Sequence, residues 1–233
     1  MKIDIISVQP RMFEGFLNES IVARARRKGA CDLSVVDLRE FGEGRWKKVD
    51  DKPYGGGPGM LMKCGPWYAA VESLLGVGFT AARAPKGVRV IMTDPKGRPF
   101  TQREAESLAK EERLVFLCGH YEGFDARIEP LATDLYSVGD FVMTGGELAA
   151  AAMTDAVVRL LPGVLGGGSA ATASESFSAD GGLEAPQYTH PEEFRGMRVP
   201  DVLLSGDHRR VEAWRKAEAR RVTAERRPDL RVG

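Results

Sequence analysis

The sequence predicts an α/β fold with a mostly parallel sheet, followed by a small, largely helical C-terminal domain. Up to about residue 161, short apolar segments alternate with amphipathic or Ala-rich segments, as expected for strands joined by covering helices. Three of the apolar segments run directly into loops that contain glycine. After Pro162 and Gly163 the chain becomes rich in Gly, Ala, Ser and Thr, which is typical of a flexible linker.

The strand and helix predictions rest on hydrophobic periodicity and on residues that start or stop helices. We predict strands over residues 2–8, 31–38, 88–93, 114–118 and 134–138. We predict helices over residues 20–28, 66–75, 101–110, 125–131 and 147–161. Ser20 is expected to cap the first helix and Gly29 to end it, while Thr101 and Glu104 form a capping-box sequence. The segment 39–60 lacks periodicity and is predicted to be a long loop, functional or disordered, whose aromatic residues favour partial order.

The domain boundaries follow from the change in composition. We predict a large domain over residues 1–165, a flexible linker over 166–174 and a helical domain over 175–233. The last domain contains a predicted helix from about residue 207 to 221. From His208 to the C-terminus there are nine Lys and Arg and four Asp and Glu, a net charge of +5. A solvated helix face and a phosphate-contacting surface both explain this charge.

The overall composition excludes several classes of protein. The 33 basic and 33 acidic residues cancel, which argues against a general polyanion binder but leaves room for local patches. No apolar run approaches the roughly 20 residues of a membrane span, and the N-terminus has the pattern of a strand rather than a signal peptide. We therefore expect a cytoplasmic protein with no membrane partner. The three cysteines and three histidines are widely spaced, so the sequence predicts reduced thiols and no metal site.

The glycine loops after the predicted strands indicate a ligand pocket. These loops lie at 93–97, 119–123 and 138–146. Glycines at the carboxyl ends of parallel strands let backbone groups approach a ligand closely, although glycines also end strands without any function. The segment 55–59 lacks the lysine of a phosphate-binding loop, and neither a dinucleotide-binding fingerprint nor a nucleophile elbow is present. A pocket built mostly of backbone is the interpretation that remains.

Five motifs, in this order along the chain, resemble those of a known family. They lie at 49–60, 118–125, 137–148, 161–166 and 202–208. Together they closely resemble the bacterial tRNA (guanine-37-N1)-methyltransferases, which belong to the SPOUT methyltransferases. The resemblance runs from Lys2 to about Leu230, which is essentially the whole chain.

The resemblance implies a fold, a reaction and several partners. It implies a deep trefoil knot that holds S-adenosylmethionine at the carboxyl end of the sheet, and a homodimer whose active sites are shared across the interface. The methyl group is expected to go to N1 of the guanine just 3′ of the tRNA anticodon. The resemblance also implies an association with Mg²⁺, which no motif in this sequence predicts.

The resemblance assigns cofactor binding to residues of the three glycine loops. Backbone groups are expected to bind the adenine and apolar side chains to pack on it, while Glu122 and Asp140 are expected near the amino acid and sulfonium groups. As an alternative, these two carboxylates only cap nearby helices. The predicted cofactor-binding residues are Thr93, Asp94, Pro95, Gly97, Gly119, Tyr121, Glu122, Gly123, Ser137, Val138, Gly139, Asp140, Phe141, Val142, Met143, Gly145 and Gly146.

Two residues are assigned to the chemistry. Guanine N1 carries a proton at neutral pH, so methylation needs a base near N1 and a positive charge near O6. The resemblance assigns Arg159 to O6, although an arginine at a helix end also has an ordinary structural explanation. The base in the family is an aspartate, and Glu175 stands at the matching position, with Asp180 as a second candidate.

Two alternatives to the guanine-37 methyltransferase stay open, and the departure at Glu175 is the evidence for the first of them. One is a catalytically silent relative that only binds RNA. The other is a knotted RNA methyltransferase with a different target nucleotide. The loop 39–60 and the C-terminal helix are expected to hold the anticodon region of the tRNA in the favoured interpretation.

Overall fold

The computed structural model describes residues 1–166, 175–178 and 181–230. The chain divides into two compact units, Met1–Leu165 and Gly166–Gly233. The predicted linker, apart from its first residue, and the candidate base Asp180 lie outside the described residues. Within the described chain, no helix combines the length and the apolar character that crossing a membrane requires.

A five-stranded sheet forms the centre of the first unit. Its strands are β1 (Lys2–Ser7), β2 (Asp32–Asp37), β5 (Val88–Pro99), β6 (Arg113–Cys118) and β7 (Asp134–Ser137). The spatial order is β2-β1-β6-β5-β7, and every pair of neighbours is parallel. The prediction of a mostly parallel sheet is therefore confirmed, because all five predicted strands are present and lie within one sheet.

One strand differs clearly from its prediction. The sequence predicts that β5 ends at residue 93, but the strand continues to Pro99. Its pairing with β7 shifts between Thr93 and Arg98, and Arg98 and Pro99 then pair with Tyr136 and Ser137. The intervening segment contains Pro and Gly, which indicate a turn in the sequence but form a bulge in the structure.

Helices cover both faces of the sheet. They are α1 (Glu14–Asn18), α2 (Ser20–Arg27), α3 (Cys64–Leu75), α4 (Gln102–Leu108) and α5 (Glu147–Val158). Along β6, Leu114 and Phe116 belong to the core beneath α2, α4 and α5, whereas Val115 and Leu117 belong to the core beneath α3. This alternation follows from the period of two in a strand, and it makes the unit a three-layer structure.

Two local predictions were wrong. Ser20 does not cap α2, because it is the first helical residue and Glu19 occupies the N-cap position. Thr101 and Glu104 do not form a capping box, because the Thr101 hydroxyl bonds the Glu104 carboxylate rather than the backbone. The short helix predicted at 125–131 is confirmed, and it is a 3-10 helix over Ala126–Leu131. Its N-cap, Asp125, accepts a hydrogen bond from the backbone N–H of Arg127.

The loop 39–60 is partly ordered, as predicted. It begins within a 3-10 helix, Leu38–Phe41, and contains β3 (Asp50–Asp51). This strand pairs in antiparallel fashion with β4 (Leu61–Met62), which follows the loop. The loop is thus anchored by a short hairpin next to the main sheet.

The second unit is built around one long helix, His208–Arg226. Asp207 caps this helix by accepting hydrogen bonds from the backbone N–H groups of Arg209 and Arg210. The predicted helix is confirmed, and it extends beyond residue 221. A short helix, Asp201–Leu204, and a two-stranded ribbon of Glu193–Phe194 and Met197–Arg198 complete the described elements.

Candidate active site

A cavity of about 360 Å³ lies at the carboxyl ends of β6 and β7 and at the bulge within β5. Three loops contribute to its lining: the bulge at 93–97, which we call the β5 loop, the β6 loop (119–123) and the β7 loop (138–146). This is the edge at which ligands bind in open α/β sheets. All predicted cofactor-binding residues line the cavity except Gly97 and Asp140.

The β5 loop places polar and backbone groups on one wall. Thr93 is buried, and its hydroxyl donates to the carbonyl of Leu117. The carboxylate of Asp94 accepts a hydrogen bond from the Lys96 backbone N–H at 2.8 Å. Gly97 instead packs on β7, because a Cβ there would lie 2.5 Å from the backbone nitrogen of Tyr136. Its requirement for glycine therefore arises from packing within the sheet.

The β6 and β7 loops cross at the floor of the cavity. The backbone N–H of Gly146 donates to the carbonyl of Gly119 at 2.7 Å, and His120 forms an antiparallel bridge with Gly145. A Cβ on residue 146 would overlap the Thr93 hydroxyl oxygen. Glycine is therefore required at this crossing, because the three loops approach too closely for a side chain.

The rim of the cavity carries exposed apolar side chains. Phe141 is 57% exposed and Val142 is 88% exposed. The same loop is stabilised below the rim, where the backbone N–H of Gly139 donates to the Ser137 hydroxyl oxygen at 3.2 Å. Neighbouring exposed apolar side chains beside a cavity are a feature of interaction surfaces.

A buried carboxylate lies under the cavity floor. Glu147 is 2% exposed, and one of its oxygens accepts a hydrogen bond from the Ser7 hydroxyl at 2.7 Å. Its other oxygen is 3.6 Å from Nδ1 of His120, which has no hydrogen-bond partner among the described residues. Neither Glu147 nor His120 was predicted as a site residue, although both lie inside motifs that carry the family resemblance.

A cluster of charges supports the cavity wall at β7. Arg89 donates to both carboxylate oxygens of Asp134, and Thr133 and Arg98 also donate to this carboxylate. Burial alone would raise the pKa of Asp134, but these hydrogen bonds outweigh it and hold the pKa below its ordinary value. Burial raises the pKa of Tyr136, whose ring lies under the Arg98 guanidinium and lines the cavity.

The cavity also includes residues that the sequence analysis missed. Some of them lie between or next to predicted residues, so their position within the glycine loops could have identified them. Leu61, Tyr136 and Ala149 belong to neighbouring strands and a helix, and nothing in the sequence marks them as cavity residues. The missed lining residues are Leu61, Lys96, His120, Phe124, Tyr136, Thr144 and Ala149.

The two predicted catalytic residues belong to different units. Arg159 follows directly after α5 in the first unit, where its backbone N–H donates to the carbonyl of Asp155. Glu175 belongs to the second unit, at the start of a turn in which its carbonyl accepts from the Ser178 N–H at 3.1 Å. Both side chains are half-buried. Across the described ranges, no group of three or more His, Cys, Asp or Glu residues is arranged to hold a metal ion.

Comparison with known proteins identifies the family of this chain. A family model described as tRNA (Guanine-1)-methyltransferase TrmD matches residues 1–232. The chain belongs to this family. The resemblance inferred from the five sequence motifs is thereby confirmed.

Individual members of the TrmD family match nearly end to end. The chain is 52% identical over 231 residues to a tRNA (guanine-N(1)-)-methyltransferase of Geobacillus kaustophilus (strain HTA426), covering 99% of this chain and 91% of that protein. It is 52% identical to the protein of the same name from Bacillus subtilis (strain 168), covering 99% and 92%. The protein of that name from Exiguobacterium sp. (strain ATCC BAA-1283 / AT1b) is 53% identical with the same coverage.

Proposed function

We propose that this protein transfers the methyl group of S-adenosylmethionine to N1 of guanosine 37, next to the anticodon of tRNA. The strongest support is the cavity between three glycine-containing loops, in a chain that matches the TrmD family over residues 1–232. In this proposal residues 1–165 are the catalytic domain, 166–174 a linker and 175–233 the tRNA-binding domain. The proposed location is the cytoplasm.

The cavity residues fit a neutral heterocycle with a short charged tail. Backbone donors and acceptors in rigid loops distinguish the edges of an adenine, and Val138 and Met143 provide apolar contact. Glu122 lines the same cavity and offers a negative charge to the cationic end of the ligand. Asp140 does not line it, so a direct role for this residue has less support. When bound, S-adenosylmethionine supplies an electrophilic methyl group on a sulfonium.

A trefoil knot is part of the proposal. A knot at this edge requires the chain after β7 to pass close over the ends of the neighbouring strands. The hydrogen bond from Gly146 to Gly119 and the contact of Gly146 with Thr93 support such a passage. Knots are rare in proteins, so the family assignment carries most of the weight here.

Proton removal is assigned to Glu175. The carboxylate of Glu is about as strong a base as that of Asp, since the reference pKa values differ by only ~0.4 units. Its extra methylene shifts the carboxylate outward, and the preceding linker is expected to accommodate that shift. Arg159 is assigned to guanine O6, where its planar, permanently charged guanidinium stabilises the negative charge that develops as N1 loses its proton.

The loop 39–60 and the C-terminal helix are proposed to bind tRNA. Trp46 is 78% exposed and Tyr54 is fully exposed, and the Arg45 guanidinium lies 5.5 Å from the Trp46 ring centroid. Exposed aromatic and cationic groups of this kind stack on unpaired bases and contact phosphates.

A homodimer is also proposed, with each active site shared across the interface. The exposed side chains of Phe141, Val142 and Leu148 at and near the cavity rim support it, because such a patch gains from being covered. The family resemblance alone implies Mg²⁺, and no feature of the described residues adds support for this ion.

The decisive experiment is nucleoside analysis of a tRNA transcript after incubation with the protein and S-adenosylmethionine. We expect N1-methylguanosine from a transcript that carries guanosine 37 and none from a transcript with adenosine 37. Methylation at another nucleotide would favour the alternative of a different target. Tight tRNA binding without any methyl transfer would favour a catalytically silent relative.

A further inference from the structure

The backbone of Gly59 lies directly against the side chain of Glu122. A Cβ on residue 59 would overlap the Cγ and Oε1 of Glu122 and lie 2.7 Å from its Cδ. All three of these nearest atoms belong to the one side chain. Gly59 ends the glycine-rich segment 55–59, and Glu122 lines the cavity. Gly59 therefore leaves the space that the side chain of Glu122, which is distant from it in sequence, occupies.

Backbone hydrogen bonds fix this contact. The N–H of Glu122 donates to the carbonyl of Met60 at 3.0 Å. The N–H of Met62 donates to the carbonyl of Gly123 at 2.9 Å, and the N–H of Asp125 donates to the carbonyl of Met62 at 3.0 Å. Because these bonds join residues 60–62 to residues 122–125, the chain directly after Gly59 and the end of the β6 loop form one connected structure.

We propose that Gly59 is a positioning residue that keeps the Glu122 carboxylate against the cavity and thereby couples the glycine-rich segment to the ligand of the cavity. The inference rests on the proposed function, in which Glu122 faces the cationic end of S-adenosylmethionine. A change in the segment 55–59 is then transmitted to the methyl donor through a single carboxylate. This gives the glycine-rich segment a role in donor binding in addition to its proposed contact with tRNA.

The contact between residue 59 and Glu122 can be disturbed without a large loss in the stability of the fold. The atoms that crowd residue 59 are at the end of a flexible, exposed side chain. An added methyl group therefore displaces the carboxylate, while the surrounding backbone stays in place. The backbone cost is that of a left-handed residue, since Gly59 has a φ of +76°. Gly78 has nearly the same φ, +75°, and no atom within 4 Å of the position of its Cβ. It is therefore a matched control for the backbone cost.

The test compares Gly59→Ala with Gly78→Ala. The affinity for S-adenosylmethionine is measured by calorimetry without tRNA, and the thermal midpoint is measured in parallel. We expect both variants to lose a similar amount of thermal stability. Only Gly59→Ala is expected to weaken S-adenosylmethionine binding, by about tenfold, since a contact to a charged group is displaced. Equal donor affinities for the two variants would overturn the inference.

A double-mutant cycle with Glu122 tests the route of the coupling. Glu122→Ala removes all three atoms that crowd residue 59, so adding Gly59→Ala to that variant should not weaken donor binding further. An undiminished tenfold effect in the Glu122→Ala background would show that Gly59 acts by another route. If the unaltered protein bound no S-adenosylmethionine at all, the proposed function itself would fail. Normal donor binding with no effect of Gly59→Ala would remove only the present inference.

Discussion

Among the described residues, Asp134 is the buried carboxylate that accepts the most hydrogen bonds. Its side chain is 5% exposed and accepts hydrogen bonds from Arg89, Thr133 and Arg98. This cluster supports β7 directly before the β7 loop, so it links a local charge arrangement to the cavity wall. Loss of this cluster is expected mainly to lower the free energy of unfolding and, to a smaller extent, to weaken ligand binding in the cavity.

Asp134→Asn should lower the free energy of unfolding by about 1–3 kcal/mol at pH 7, because hydrogen bonds to a charged group are lost. The folded-state pKa of Asp134 is depressed, so its contribution is present above the ordinary carboxyl pKa of about 4. The contribution is lost as the pH falls through the folded-state pKa. Denaturant titrations at several pH values should therefore show the variant and the unaltered protein converging below about pH 4. The matched change Asp32→Asn, at an exposed position, should have little effect at any pH.

In the proposed function, Glu175 is the base that removes the proton from guanine N1. Glu175→Gln removes a base but keeps the size of the side chain, so the rate of methyl transfer should fall by about 10²–10⁴-fold. The affinity for S-adenosylmethionine should change little. Glu175→Asp restores a carboxylate and should recover part of the lost rate. Single-turnover methyl transfer separates these variants, and full activity of Glu175→Gln would remove Glu175 from the role of base.

At the scale of elements, the long strand β5 explains why residue 97 is a glycine. The strand bulges after Thr93 and then pairs again with β7, which brings residue 97 against the β7 backbone. A Cβ there would lie 2.5 Å from Tyr136 N and 2.6 Å from Leu135 C. Because these are backbone atoms, they cannot move aside as a side chain can.

Gly97→Ala should therefore reduce the free energy of unfolding by about 2–3 kcal/mol, as expected for overpacking against a rigid neighbour. Gly15→Ala is a suitable control, because this helical glycine has no atom within 4 Å of the position of its Cβ. It should change stability by less than about 1 kcal/mol, and in the stabilising direction. Thermal unfolding of both variants measures the difference. Equal midpoints would contradict the packing explanation of Gly97.

The strands of this protein could be predicted from its sequence, whereas the contacts between its loops could not. A strand covered on both faces is a short, continuous apolar run, and such a run predicts β6, where Phe116 and Leu117 lie on opposite faces and are both buried. The continuation of β5 could not be predicted, since Pro95 and Gly97 are typical of turns and the bulge depends on pairing with β7. The burial of Glu147 was equally inaccessible, because its partner Ser7 lies at the end of a distant strand.

At the scale of the whole molecule, charge is distributed unevenly along the C-terminal helix. Arg221 pairs with Glu218 at 2.8 Å and with Glu225 at 2.9 Å. Arg209 and Arg210 are exposed and form no ion pair with any other residue that the structure describes. Their charges are thus available to an external anion, which favours the phosphate-contacting interpretation of this helix.

The proposed tRNA binding should weaken steeply with salt. Replacing Arg209 by Ala should reduce the slope of log K against log salt by about 0.7–0.9 if one phosphate contact is lost, and Arg210→Ala should do the same. Arg221→Ala should have a smaller effect, because two glutamates already neutralise that charge. Filter binding of tRNA at several salt concentrations measures these slopes. An affinity independent of salt would contradict the proposed binding surface.

The inner position of β1 has a consequence for the synthesis of the protein. Lys2 pairs with Asp32 of β2 on one side and with Arg113 of β6 on the other. The second edge of β1 is therefore paired only after β6, which lies more than 100 residues later, has been synthesised. Until β6 has left the ribosome, one edge of β1 is open to other chains. Pairing between such distant segments is also slow. A fragment ending before residue 113 should therefore aggregate in light-scattering measurements, whereas the full-length chain should remain dispersed.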